Sequence, residues 1–182
     1  MKVSLQGLGN VGFALAQALK QAGAILFVQD INAANVRRAV DELGATELIG
    51  DQIYRHPVDV FAPCALGGVL NDHSIELLNC KLVAGAANNQ LVNASHGVQL
   101  AAKDICYVPD YVLNAGGIVC IHHARQQHTL LQANAQVAQI GDTVMELLQR
   151  AKFSAERPEQ VADRMAEERF LATGNSDLNA VA

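Results

Sequence analysis

Read for its apolar and polar positions, the chain opens with Val3-Ser4-Leu5-Gln6 and breaks at Gly7-Leu8-Gly9-Asn10-Val11-Gly12. It resumes with Phe13, Leu15, Ala16 and Leu19 at helical spacing as far as Gly23. This is a strand, a glycine turn and a helix over residues 11–22. A second strand, Ile25-Leu26-Phe27-Val28-Gln29-Asp30, follows, and a second helix over 33–43 is stopped by Gly44. Further strands are expected at 58–62, 82–84 and 105–108, with a short helix at 74–78. The strands are apolar throughout instead of alternating, as strands buried on both faces are, and strands separated by helices build parallel sheets. From about Gly117 only helices are predicted: 118–123, a long one over 130–151, and 158–170 with Pro158 in its first turn. Leu131, Val137, Ile140, Val144, Leu147 and Leu148 make the apolar stripe of the long helix. The tail over 174–182 is expected to fray.

The break between the first strand and helix carries the chemistry. Gly7, Gly9 and Gly12 form a Gly-x-Gly-x-x-Gly turn: the first glycine for a tight turn, the second for backbone approach to a pyrophosphate, the third for close packing of helix on strand. Backbone N–H groups at the start of that helix would hold phosphates. Such a turn alone is a weak signal, and turn glycines with a helix-capping aspartate are its alternative explanation. The deciding feature is an acidic residue ending the next strand about 20 residues on, and Asp30 is that residue. Its carboxylate can accept hydrogen bonds from a ribose 2′-hydroxyl and would repel a 2′-phosphate, which favours NAD over NADP. Arg37 and Arg38 read as the solvated face of the second helix. The expected architecture is therefore α/β and Rossmann-like, a doubly wound, mostly parallel sheet with helices on both faces. A single domain over 1–182 is expected, with a helical carboxyl-terminal part at about 117–172.

Composition narrows the function further. At 182 residues and 51% hydrophobic the chain can bury one good core. A net charge of −5 with no basic run argues against nucleic acid. No apolar run reaches the ~20 residues of a membrane span, and Met1 runs straight into the first strand, so a cytoplasmic protein without a leader is expected. The four cysteines, Cys64, Cys80, Cys106 and Cys120, form no Cys-x-x-Cys pair, which leaves neither a zinc motif nor a disulfide framework. Of the six histidines, His122 and His123 are adjacent and so point in different directions; no metal site is expected.

In open α/β sheets ligands bind outside the carboxyl ends of the strands. Three segments there are rich in small residues and side-chain amides: Pro63-Cys64-Ala65-Leu66-Gly67-Gly68, Gly85-Ala86-Ala87-Asn88-Asn89-Gln90 and Pro109-Asp110-Tyr111-Val112-Leu113-Asn114-Ala115-Gly116-Gly117. Each alone is readable as a turn; three at equivalent ends point to a ligand. Together with Gln6-Gly7-Leu8-Gly9-Asn10-Val11-Gly12 they resemble the cofactor-domain motifs of the Glu/Leu/Phe/Val dehydrogenases. The branch most resembled is leucine dehydrogenase, with phenylalanine and tryptophan dehydrogenases next. Order and spacing match over essentially all of residues 2–170, including Ala166-Glu167-Glu168-Arg169.

The resemblance implies NAD-linked, reversible oxidative deamination of a branched-chain or aromatic L-amino acid. It implies that Gly7, Gly9, Asn10 and Val11 line the pyrophosphate, with Gly12 of the same turn in the cofactor site, and that Asp30, with Ile31 beside it, takes the adenosine ribose. Cys64, Ala65 and Leu66 would border the path from adenine to nicotinamide, Cys64 by packing. Asn88 would hold the nicotinamide ribose, with Ala87 beside it in the cofactor site, and Asn114 would lie between nicotinamide and substrate. The family takes its catalytic lysine and aspartate from a separate amino-terminal domain, the lysine after a glycine-rich stretch. Lys2, Lys20, Lys81, Lys103 and Lys152 do not follow one, and each has a structural reading. The chain is thus expected to be the carboxyl-terminal half of such an enzyme, binding NAD without turnover. The alternative is a free-standing NAD-binding or regulatory module. The segment Ile118-Val119-Cys120-Ile121-His122-His123 departs from the leucine-type pattern, which leaves the choice of amino acid open. A bared apolar cleft wall implies a homo-oligomer, or a partner catalytic domain.

Overall fold

A computed structural model of the protein describes residues 1–178. The chain runs β1 (Lys2–Gln6), α1 (Asn10–Gln21), β2 (Ile25–Gln29), α2 (Ala33–Leu43), β3 (Thr46–Glu47), α3 (Gln52–Arg55), β4 (Val60–Pro63), α4 (Asp72–Leu77), β5 (Leu82–Val83), α5 (Ser95–Ala102) and β6 (Cys106–Tyr107). Four helices complete it: α6 (Asp110–Leu113), α7 (Gly116–Arg125), α8 (Leu130–Ser154) and α9 (Pro158–Leu178). The strands form one parallel sheet in the order β3-β2-β1-β4-β5-β6. The order reverses between β1 and β4, and that reversal opens a crevice at their carboxyl ends.

β1 is central, and Val3, Ser4 and Leu5 are all buried because helices cover both faces of the sheet. On one flank α1 and α2 turn Phe13, Ala16, Val36 and Ala39 onto Val3, Leu5, Leu26 and Val28. On the other, Ile53, Ile75, Leu100 and Ile105 close over Phe61 and Val83. Asn32 starts α2 by accepting from the Ala34 N–H at 2.9 Å, and Gly44 ends it in the left-handed conformation at φ 63°. A third cluster joins Val108 to Leu147 and Ala151 of α8 and Val161, Ala162 and Met165 of α9.

The doubly wound architecture matches the expectation, with every strand pairing parallel. β3, α3, α5 and α6 are additional elements. The α8 stripe is only partly buried: Leu147 is covered, Val137, Ile140, Val144 and Leu148 are half-covered, and Leu131 is exposed. α9 continues to Leu178, past Gly174 where fraying was expected to begin, and residues 179–182 of that tail lie outside the described ones.

Candidate functional site

The turn after β1 fits against the loop after β4. Gly7 has φ 97°, and a Cβ there would stand 2.7 Å from the Ala65 nitrogen and 2.8 Å from the Cys64 carbonyl carbon, so no other residue fits without moving backbone. At Gly12 a Cβ would lie 2.0 Å from the Gly7 oxygen, which fixes the first turn of α1 against the glycine turn. Gly9 is different. A Cβ there would meet nothing within 4 Å, leaving a bare backbone ledge facing open space. Gly9 is also the N-cap of α1 and supplies no capping side chain, so the N–H groups of Asn10, Val11 and Gly12 begin the helix with no side-chain cap.

Asp30 ties the two strand ends together. One carboxylate oxygen accepts from the Leu8 N–H at 2.5 Å and the other from the Asn32 N–H at 2.7 Å. The carboxylate thus holds the glycine turn to the start of α2, while each oxygen keeps acceptor capacity toward the crevice. A cavity of about 810 Å3 occupies the crevice, and Gly7, Gly9, Asp30, Ile31, Cys64, Ala65 and Leu66 all line it. Ile31 and Leu66 stand exposed on opposite walls. Asn10, Val11 and Gly12 belong to the α1 start that adjoins this cavity. Burial pushes the Cys64 thiol up from its usual range, so it is a protonated packing group and no nucleophile.

Ala87, Asn88 and Asn114 lie outside the cavity lining and build a neighbouring wall. The Asn114 side-chain amide donates to the Asn88 side-chain oxygen at 2.7 Å, joining the loops after β5 and β6. Ala87 is buried, and its N–H donates to the Pro63 oxygen at 2.9 Å. The Asn88 carbonyl would lie 2.6 Å from a Cβ on Gly67, so the β4 and β5 loops touch as well.

Several supporting residues escaped the sequence reading. Gln90 is fully buried and donates to the Gly85 and Ala87 oxygens at 2.8 and 3.0 Å, which fixes the loop carrying Asn88. Asp110 accepts from the Asn89 N–H at 2.6 Å and from the Tyr107 hydroxyl at 3.0 Å, and Asn89 takes φ 51°. Gln6, Gln29, Asn32 and Asn35 complete the polar rim of the cavity. Their signal was available in the polar residues that end β1 and β2 and begin α2.

Among the described residues no group of three or more histidine, cysteine or acidic side chains converges on a common point, and no helix is long and apolar enough to cross a membrane.

Residues 27–156 match the family model described as Glutamate/Leucine/Phenylalanine/Valine dehydrogenase. The leucine dehydrogenase of Thermoactinomyces intermedius is 45% identical over 168 residues, 92% of this chain and 46% of that protein. The L-tryptophan dehydrogenase of Nostoc punctiforme is 41% identical over the whole chain and 52% of its own length. Its crystal structure superposes with a TM-score of 0.93 over 96% of this chain and 54% of that one. The chain spans about half the length of the curated relatives it matches. With the glycine turn, the acidic strand end and the amide-rich loops in place, and with relatives this similar along nearly its full extent, the chain belongs to the Glu/Leu/Phe/Val dehydrogenase family.

Proposed function

We propose that this chain binds NAD in the crevice between β1 and β4 as the cofactor domain of an NAD-dependent L-amino-acid dehydrogenase. The substrate class is a branched-chain or aromatic amino acid, and residues 1–182 alone bind the cofactor without turning over that substrate. The observation that carries the reading is the placement of Asp30 beside the glycine turn, on the wall of the same cavity. Gly9 offers the open ledge a pyrophosphate needs, and the uncapped α1 N–H groups offer donors and the positive end of the helix dipole.

Bound NAD would supply the hydride acceptor for oxidation at the amino acid's α-carbon. The chain's own residues position and exclude. Asp30 accepts from ribose hydroxyls while its two backbone contacts keep it oriented. The Asn88–Asn114 amide pair presents hydrogen-bonding groups at fixed separation to the nicotinamide end of the groove. Cys64 fills space under the turn and stays protonated.

Preference for NAD rests on charge. Arg38 lies 3.8 Å over the Phe13 ring and pairs with Glu42 at 3.0 Å, and neither it nor Arg37 lines the cavity, so nothing there offsets repulsion between Asp30 and a 2′-phosphate. Absence of turnover rests on the lysines. Lys2 and Lys81 stand at the amino ends of β1 and β5, opposite the crevice, and Lys20 lies in the last turn of α1. Lys103 is committed to the Ile75, Glu76 and Leu78 carbonyls at the end of α4, and Lys152 lies in the last turn of α8. Exposed Ile118, Ile121, Leu130 and Leu131 on α7 and α8 favour self-association or coverage by a partner catalytic domain. A strict monomer by light scattering at high concentration would count against self-association.

Calorimetric titration with NAD and NADP in parallel tests the reading. Saturable binding that prefers NAD is expected, weakened at least tenfold, about 1.4 kcal/mol, by Asp30→Ala. Asp30→Asn, which removes charge but keeps a hydrogen-bonding side chain, should bring NADP closer to NAD. Binding of neither dinucleotide overturns the reading. Reduction of NAD by the chain with a branched-chain or aromatic amino acid overturns the statement about turnover.

A further inference from the structure

The end of α7 holds a chemical group that the dinucleotide site does not use. Gln126 caps the helix, Gln127 takes the left-handed conformation at φ 56°, and two backbone bonds close the turn: Gln127 N–H to the Ala124 oxygen at 3.2 Å and His128 N–H to the His123 oxygen at 2.9 Å. This is a Schellman ending, in which the third helical residue from the end and the second residue after the cap are brought together, ordinarily as an apolar pair. Here that pair is His123 and His128. Their Nδ1 atoms are 3.1 Å apart, with ring centroids at 5.0 Å and planes at 58°. The two ring nitrogens face each other across 3.1 Å, within reach of a single ion. His122 stands edge-on to His123, with centroids at 5.7 Å and planes at 90°.

His123 is also oriented from behind. It is buried, and its Nε2 lies 2.5 Å from the side-chain oxygen of Gln136 on α8. That oxygen only accepts, so Nε2 carries the proton and Nδ1 is left with its lone pair facing His128. A histidine that donates one ring N–H to an oxygen and presents the other nitrogen outward is the arrangement that tunes imidazole as a metal ligand. The distance agrees: two nitrogens at 3.1 Å, each about 2.0–2.1 Å from a common ion, subtend about 98° at it, between octahedral and tetrahedral angles.

We propose that His123 and His128 form a two-imidazole site for a divalent transition ion of the zinc, nickel or copper class. Imidazole selects these ions over magnesium or calcium, which take oxygen donors. With only two side-chain donors, water fills the remaining positions and the ion exchanges freely, unlike a four-ligand structural zinc. Its effect is to pin the α7–α8 turn, since one ligand closes α7, the other begins the connection, and Gln136 anchors both to α8.

Calorimetric titration with nickel chloride tests this on the 182-residue chain without a histidine tag. One saturable site per chain is expected, with a rise in melting temperature on adding nickel. His128→Ala, an exposed position that leaves the fold intact, should weaken binding at least tenfold and abolish the rise. Gln136→Leu should weaken binding by about tenfold through loss of orientation alone. His122→Ala and Cys120→Ser should bind as the parent does. No saturable binding by the parent chain would show an ordinary imidazole–imidazole hydrogen bond and overturn the proposal, as would equal binding by His128→Ala or equal loss in His122→Ala.

Discussion

The sheet region, β1 through β6, and the helical region, α7 through α9, treat their apolar residues differently. In the sheet region Leu5, Val28, Phe61, Val83 and Leu100 are completely covered by elements of the chain itself. In the helical region α8 is 25 residues long yet buries only Ala133, Leu147 and Ala151, while Ile118, Leu130 and Leu131 stand largely in solvent. A continuous apolar run in a parallel strand demands cover on both faces, and the adjoining helices provide it. An amphipathic stripe demands only that some surface lie against it. Periodicity therefore reports a face that calls for cover, not whether the cover comes from the same region.

The largest expected contrast is in stability. Phe61→Ala should lower unfolding free energy by about 3–5 kcal/mol through a cavity under the sheet, whereas Leu131→Ala should stay within about 0.5 kcal/mol. Urea denaturation of both variants checks this, and similar losses would abolish the distinction between the regions. A smaller contrast lies within the glycine turn. Gly12→Ala drives a methyl into the Gly7 carbonyl and should destabilise by about 1–3 kcal/mol. Gly9→Ala places its methyl in open space and should stay within about 1 kcal/mol while weakening NAD binding, read by calorimetry on the same preparations. The smallest effect is alkaline. Burial pushes the Cys80 thiol from near 9 up to about 11, so between those values the folded chain keeps a proton that the unfolded chain releases. Stability should fall gradually as pH rises from about 9 to about 11, and a Cys80→Ala variant should lack that component of the slope in urea midpoints. Cys120, which is exposed, should react first with a thiol reagent.

Much of this was legible in the residues. The opening strand, turn, helix, strand and helix fall within a residue or two of their expected bounds, because glycines and an asparagine cap punctuate them sharply. β3 was not legible, since two polar residues carry no period. α5 hid its inner face behind His96, Gly97 and Leu100, of which only the leucine reads as apolar; His96 is buried by its contact with Asp72 at 3.3 Å and the Asn93 N–H at 3.2 Å. α6 sits in a segment read as loop because its four residues fall between Pro109 and Asn114. Of the cavity lining, Gly7, Gly9, Asp30, Ile31, Cys64, Ala65 and Leu66 were legible from the order of strand ends, whereas Gln29, Asn32 and Asn35 were not. The Gln90 and Asp110 supports were not, because a buried polar residue is recognisable only once its partners are placed. The pairing of His123 with His128 follows from a left-handed Gln127, a conformation that glutamine does not advertise.

The contact made through Gly7 sets the mechanical character of the crevice. Because the β1 turn and the β4 loop meet there backbone to backbone, no side chain can stand between them at Gly7. At that point the crevice is floored by main chain from both strand ends. Ile31 and Leu66 are the large exposed apolar side chains on that lining and can swing to follow the outline of what enters. The floor is thus main chain and the rim side chains, so substitutions at Ile31 and Leu66 should retune which molecules fit without refolding the frame beneath them.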